Sequence, residues 1–315
     1  MIVDFIREHK DRRDGGLRWG VEPICAVLGQ YGVKIAPSTY YEWLDKLPTA
    51  REERDQELKT HILRVSAENY RVYGARKIWL VLNREGIPVA RCTVERLMKA
   101  LGVQGVHRGR RVRTTIPRPG DELPGDLVNR CFKPVAPNRL WVADFTYVST
   151  WSGWAYTAFV IDAYARRILG WAVSATMTSD LVIDALEHAV WTRDRDGRDD
   201  LTAVVGHHDH GSQYTSLRYS QHLSDAGITA STGTVGDSFD NALAETINGL
   251  YKTELIKPRR PWKTIDDVEY ATAEWVDWFH HRRINQYCHD LAPVEYENLY
   301  YALHNDTEIP TPVPQ

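Results

Sequence analysis

The chain has 315 residues, 43% of them hydrophobic and 26% charged, which allows two or three domains with sizeable cores. It contains no run of about 18 apolar residues and opens on the charged stretch MIVDFIREHK, which excludes a membrane-spanning helix and a secretory signal and points to the cytoplasm. The net charge of −3 conceals an asymmetry: Lys and Arg outnumber Asp and Glu 23 to 14 through Pro119, then fall behind 16 to 28, so the first third suits a polyanion and the remainder suits cations.

Residues 4–13 read as a short helix. Residues 20–30 have helical apolar spacing, and after the turn YGVKIA a second helix opens at Pro37-Ser38-Thr39 and ends near Trp43. This pattern is similar to a helix-turn-helix, although any small helical hairpin shares it. Residues 51–68 read as a charged amphipathic helix. Two more helices follow at 75–84 and 90–101, joined by EGIPV, with Thr93 as candidate N-cap of the second. Arg91, Arg96 and Lys99 stand there at near-helical spacing, so this pair is the better candidate to lay a basic face on DNA; a solvated basic face is the plain alternative. Residues 106–119, with Arg108, Arg110, Arg111 and Arg113, lack apolar periodicity and suit an arm along phosphates or a simple tether.

From Leu140 the pattern alternates. LWVADFTYVST (140–150) predicts a strand, and residues 154–175 predict two more around a turn near 162–167. A helix at 180–192, a strand at 202–205 leading into HHDHGSQY, a helix at 216–226 and a strand at 227–230 follow. The stretch 238–255, SFDNALAETINGLYKTEL, predicts a helix with Asn241, Glu245, Asn248, Gly249 and Lys252 on one narrow face. Leu243, Ile247 and Leu250 fall opposite, toward a core. The order predicts an α/β fold with one five-stranded mixed sheet flanked by helices. A last long helix is expected at 265–283, before a Pro-rich tail.

Asp144 sits inside a strand otherwise made of core residues, where an isolated carboxylate is costly unless it is paired or bound to metal. Asp209 follows directly on a strand, and strand ends of mixed sheets are where ligands sit. Glu245 lies on the flanking helix. Three carboxylates gathered from these elements would repel and resist ionisation, which divalent cations with hard oxygen ligands relieve. A pair of Mg²⁺ or Mn²⁺ ions supports in-line displacement at phosphorus; the plain alternative is three unrelated acids. Four scattered cysteines without a CxxC pair speak against disulfides or structural zinc. His207, His208 and His210 alternate along an extended segment and are not expected to share zinc. His280, His281, Cys288 and His289 read as a polar helix end. Trp141, Trp151, Trp154, Trp171, Trp275 and Trp278 are read as core, with Trp154 and Trp262 as candidates for base stacking.

WVADFTYV, HHDHGSQY and DNALAETINGLYKTEL together resemble the three catalytic blocks of DDE transposases of bacterial insertion sequences. The resemblance, over residues 57–296, is to the branch whose second reading frame encodes a subunit with a retroviral-integrase-like core. It implies a ribonuclease H-like fold and makes Asp144, Asp209 and Glu245 the catalytic and metal-ligating residues, holding two Mg²⁺ or Mn²⁺ ions. It also implies that Lys252 stands by the DNA end. Gly211, Gln213 and Tyr214 match the block after the second Asp, and Asp240, Asn241 and Ala242 the block before the Glu; Gln213, Tyr214 and Asn241 are carried over as DNA contacts. Lys257, Arg259 and Arg260 are candidate phosphate grips. The sequence departs from the pattern at His208, where a small hydroxyl residue is usual, and at His281, where many relatives have Asn. The zinc-binding His/Cys module of retroviral integrases is absent, and helices stand in its place.

The expected layout is a small helix-turn-helix-like segment (1–49), a helix-turn-helix-like DNA-binding domain (50–105), a basic linker (106–137), a ribonuclease H-like core (138–258) and a C-terminal helical extension (259–315). The expected activity is metal-dependent cleavage and strand transfer at the ends of an insertion sequence. The rival readings are a ribonuclease H-like nuclease without strand transfer and a DNA-binding regulator. Expected partners are the terminal inverted repeats, target DNA, further copies of the chain on DNA and the protein of the upstream reading frame, with no membrane. A bacterial cytoplasmic location, on the nucleoid when DNA-bound, goes with these. Because relatives often gain an upstream helix-turn-helix by frameshifting, weak end recognition is expected of this chain alone.

Overall fold

Ile6, Val21, Ile24, Cys25 and Tyr40 close a small core among three helices of the computed structural model, α1 (Ile2–His9), α2 (Val21–Gln30) and α3 (Pro37–Leu44). The first helix stops short of residue 13 because Gly15 and Gly16, at φ 56° and 85°, turn the chain back into a small ladder, β1 (Arg13–Asp14) against β2 (Leu17–Arg18). The structure describes residues 2–44, 47–107, 134–209, 211, 213–232 and 242–305. It divides into two units, residues 1–61 and 62–315, and the division falls inside α4 (Ala50–Glu68).

The helices α5 (Ala75–Arg84) and α6 (Arg91–Leu101) appear where the 3.6-residue period places them. They belong to the same contact unit as the sheet, and long-range bonds hold this region to it. The Trp278 indole N–H donates to Asn69 Oδ1 (3.0 Å), and the Tyr73 hydroxyl donates to the Arg282 carbonyl (3.1 Å) while accepting from the Ile284 N–H (2.8 Å). Arg76 forks onto the Asp290 carboxylate (2.8 and 2.6 Å). The N-cap of α6 is Ala90, not Thr93: Ala90 is extended (φ −77°, ψ 143°), and the Thr93 N–H already donates to its carbonyl (3.0 Å).

The sheet forms from β3 (Leu140–Thr150), β4 (Gly153–Asp162) and β5 (Arg167–Ser174) as an antiparallel meander, joined by β6 (Val205–His208) and β7 (Thr229–Thr232) in parallel, in the order β5-β4-β3-β6-β7. The expected five-stranded mixed sheet is therefore present. Two strands begin later than expected. Residues 201–204 turn, with the Val204 N–H donating to the Leu201 carbonyl (2.9 Å), and Gly227 (φ 74°) ends the preceding helix, so β6 and β7 start at Val205 and Thr229.

On one face, Trp141, Ala143, Ala158, Val160 and Leu169 pack against α7 (Ser179–Arg195) and α8 (Leu217–Asp225). Gly170 permits that approach, since a Cβ there would collide with the Ala185 and Ala189 backbone. The other face carries α9 (Ala242–Tyr251) and α10 (Ile265–His281), with Phe159, Tyr251 and Trp275 in edge-to-face contact. The expected last helix ends at His281, and a further helix, α11 (Pro293–Asn305), follows. Among the described residues no helix is long and apolar enough to cross a membrane.

Candidate active site

The site originates in a register. The pairing of β6 with β3 covers only residues 140–143 of β3, ending with Ala143 opposite His208. Asp144 and Asp209 each follow directly on this last pair, where β6 ends. Beyond this point β3 has no ladder partner on its β6 side among the described residues, and α9 lies over the sheet there. Asp209 leaves the strand at once: its Oδ1 accepts the Gly211 N–H (2.9 Å), which fixes the carboxylate at the strand end.

Asp144 is held by its neighbours. The Phe145 N–H donates to its Oδ1 (2.8 Å), and Asn248 Nδ2, from α9, donates to its Oδ2 (2.9 Å). Burial, then the charge of Asp209 and, more weakly, that of Glu245 push its pKa up from 3.8 to about 8, against these two hydrogen bonds. Two acids distant in sequence thus act on Asp144. Among the described residues no three His, Cys, Asp or Glu side chains are close enough to ligate one cation as they stand.

The helix carrying Glu245 changes pitch after Tyr251. Residues Lys252–Ile256 form a π-helical turn, with the Lys257 N–H donating to the Lys252 carbonyl (2.9 Å), where the sequence predicts unbroken α-helix. Glu254 lies buried in this turn, gripped by both Arg283 Nε and an Arg283 terminal nitrogen (2.7 Å to Oε1). Lys252 opens the turn and sets its ammonium over the Tyr147 ring, 4.7 Å from the centroid. Burial lowers its pKa, opposed by Asp144 and aided by Lys257 and Arg260, so the lysine stands within the field of both the acid and the neighbouring cations.

The buried face of α9 is not quite the expected one. Leu243 and Ile247 are buried as predicted, but Asn248 and Tyr251 are buried where Leu250 was expected. Each brings a polar group that finds a partner: the Asn248 amide reaches Asp144, and the Tyr251 hydroxyl bonds Thr272 Oγ1 (2.7 Å). Asn248 is the site residue that the sequence reading missed. Its place on the Glu245 face was visible, but its bond to Asp144 depends on tertiary contact.

Of the residues expected to touch DNA, Arg91, Arg96 and Lys99 are exposed on α6, opposite buried Val94, Leu97 and Met98, and Arg91 pairs with Glu95 (2.8 Å). Gln213 is half-buried and reaches the Met177 carbonyl (3.5 Å). Tyr214 is corrected: it is 2% exposed, stacked on His208 at 5.3 Å, and so supports the site from below and does not meet DNA directly. Arg108, Arg110, Arg111, Arg113, Asp240 and Asn241 lie outside the described residues. His208 thus has a packing role at the position where a small hydroxyl residue is usual. His207 bonds Ser231 Oγ (3.0 Å), and the Cys288 thiol donates to the Ala165 carbonyl (3.2 Å), with burial pushing the thiol up to about 12. Trp262 is buried, its indole N–H on the Ile256 carbonyl (3.0 Å), so it does not stack on bases, whereas Trp151 and Trp154 are exposed and not core.

Three family descriptions match the chain: an integrase core domain over residues 134–238, a second integrase core model over 226–293, and an HTH-like domain over 53–111. The insertion-sequence IS986/IS6110 protein of Mycobacterium tuberculosis is 65% identical over 85% of this chain and 96% of its own length. The transposase for insertion sequence element IS629 of Shigella sonnei is 51% identical over 96% of both chains. Among solved structures, a chain of a simian T-cell lymphotropic virus intasome is similar at 17% identity and a TM-score of 0.44, covering 75% of this chain and 73% of that one. With relatives of this identity matched over nearly their whole length, the chain belongs to the transposases of bacterial insertion sequences with an integrase catalytic core.

Proposed function

We propose that Asp144, Asp209 and Glu245 are the metal-binding and catalytic carboxylates of this transposase, for cleavage at the element ends and for joining them to target DNA. The carrying observation is that Asp144 is buried within the field of Asp209 and Glu245, at the point where the ladder between β3 and β6 ends. The donor set fits the ion: three hard carboxylate oxygens suit Mg²⁺ or Mn²⁺, and a cation shared among them would offset the repulsion that raises Asp144. When bound, a pair of such ions supplies an activated attacking oxygen and stabilises the leaving one.

The chain's own residues position these groups. Asn248 fixes the Asp144 carboxylate, Gly211 fixes that of Asp209, and α9 presents Glu245 from above. Lys252, with Lys257 and Arg260 near it, grips the phosphate chain beside the acids. Arg91, Arg96 and Lys99 offer an exposed cationic row to the duplex. Terminal inverted repeats, target DNA, further copies of the chain and the upstream-frame protein are the proposed partners.

The test incubates the full chain with labelled element-end DNA and either Mg²⁺ or Mn²⁺. Nicked and joined products should form with wild type and fall below detection with Asp144→Asn or Glu245→Gln. In parallel, millimolar Mg²⁺ or Mn²⁺ should raise the thermal midpoint of the wild type but not of Asp144→Asn, because only a folded-state ligand set gains from the ion. Equal activity of wild type and Asp144→Asn would overturn the assignment.

A further inference from the structure

Three large aromatic side chains at the far end of the β3–β4 hairpin are left out of the core. Tyr147 is 56% exposed, Trp154 51% and Trp151 71%, while Trp141, Trp275 and Trp278 in the same unit are buried. Trp154 pairs with Ser149 and Tyr147 with Tyr156, so Tyr147 and Trp154 project from the same sheet face as diagonal neighbours. Their ring centroids are 5.3 Å apart at 85°, an edge-to-face pair. Among the described residues, the core under α7 and α8 extends along this face as far as Phe145 and Tyr156.

The pair is continuous with the active site. Lys252 covers the Tyr147 ring from one side and feels the charge of Asp144 on the other. Tyr147 lies three residues along β3 from Asp144, about 10 Å at about 3.3 Å per residue and on the opposite face of the strand, so Lys252 is the link between the two. The setting is cationic, since Lys257 and Arg260 act on Lys252. The hairpin tip is also fixed in place: the Trp151 N–H donates to the Trp262 carbonyl (3.0 Å) and the Ser152 N–H to the Lys263 carbonyl (3.2 Å).

The geometry points to a nucleobase platform: Trp154, braced by Tyr147, stacks an unpaired base of the DNA end while Lys252 holds the phosphate chain leading to the carboxylates. Stacking suits this place because every base offers a π-face, whichever sequence the end carries. A protein partner would meet a rim of lysine and arginine. A strand that leaves the carboxylates past Lys252 meets the cation first and the Tyr147 ring next. Tyr147 and Trp154 are positioning residues here, since they hold the strand and do not touch the reacting phosphorus. The inference rests on the scissile phosphodiester lying at Asp144, Asp209 and Glu245.

The test uses the full chain and duplexes of the element's own end with 2-aminopurine at each terminal position in turn. Binding should quench the fluorophore at one position in the wild type. Trp154→Ala should abolish that quenching and weaken end binding about 10-fold, with Trp154→Phe restoring most of both and the thermal midpoint unchanged. An abasic residue at that position should cost the wild type a similar factor and cost Trp154→Ala almost nothing more, a non-additivity that a merely structural role would not produce. Additive penalties, or full quenching in an active Trp154→Ala chain, would overturn the platform. So would a loss of self-association in Trp154→Ala with quenching intact, which would assign the rings to a second copy of the chain. Position-specific quenching by a wild type that neither nicks nor joins would instead count against the catalytic assignment and leave the platform standing.

Discussion

Asn248 is a neutral side chain among acids, and its single amide decides how Asp144 presents its second oxygen. Partners of this kind fix ligand orientation, and their loss typically costs 10–100-fold. Asn248→Ala should therefore raise the Mg²⁺ concentration needed for half-maximal nicking about 10–100-fold while leaving the thermal midpoint nearly unchanged; an unaltered Mg²⁺ dependence would contradict this. His280 poses a different question, that of pH. Its Nε2 is enclosed without a hydrogen-bond partner, and burial foremost, then the Arg167 charge, lower its pKa from 6.5 to about 3. The unfolded imidazole takes its proton near 6.5 and the folded one only near 3, so the unfolded state binds more protons between these values. The contribution of His280 to stability is thus whole above about pH 6.5 and is lost as the pH falls toward 3. Urea titrations from pH 7 to 4 should show wild type losing stability relative to His280→Gln across that window, and a constant difference would count against it.

The π-helical turn after α9 illustrates how an element answers to partners distant in the chain. Its Glu254 and Arg283 are both buried, 6% exposed each, and joined by a forked ion pair. Removing one partner of such a pair leaves a buried charge alone, at a cost of about 3–5 kcal/mol, whereas replacing both with apolar residues can be nearly neutral. Arg283→Met should lower the urea midpoint accordingly, and Glu254→Leu with Arg283→Met should recover most of the loss; a double variant no better than the single one would contradict the account. The stretch YKTELI reads as ordinary α-helix because its local spacing is helical. The extra residue in the turn serves a contact with Arg283, which lies beyond the whole of α10, and no window centred on residue 252 contains that contact. Similarly, Thr93 is a plausible N-cap by residue type, but the extended backbone of Ala90 takes that place.

At the scale of the molecule, a buried ionic network closes the sheet edge against the C-terminal helix. Arg193 of α7 bonds Asp162 of β4 (2.8 Å) and also Glu297 of α11, and Glu297 bonds Arg167 of β5 (3.1 Å), which reaches Asp196 (2.8 Å). Glu297 is 1% exposed and joins two arginines, so Glu297→Ala leaves both short of a counter-charge. A loss of about 3–5 kcal/mol is expected, seen as a lower thermal midpoint and as proteolytic release of residues beyond α10. Unchanged protection of α11 would show that apolar contacts alone hold it.

The sequence by itself determined the element order and the mixed sheet and singled out three acids as candidates, because a two-residue or 3.6-residue period and a short motif are local properties carried by adjacent side chains. Only the tertiary structure decided what those acids feel. Asp144 is buried in the field of Asp209, α9 brings Asn248 onto the same carboxylate, and Arg283 bonds Glu254 in the underwound turn after Glu245's helix. It likewise placed Tyr214, which the resemblance carried over as a DNA contact, inside, and Trp154, left open between core and base stacking, outside. Burial and field strength are sums over neighbours distant in the chain, so they exist only once the sheet has closed.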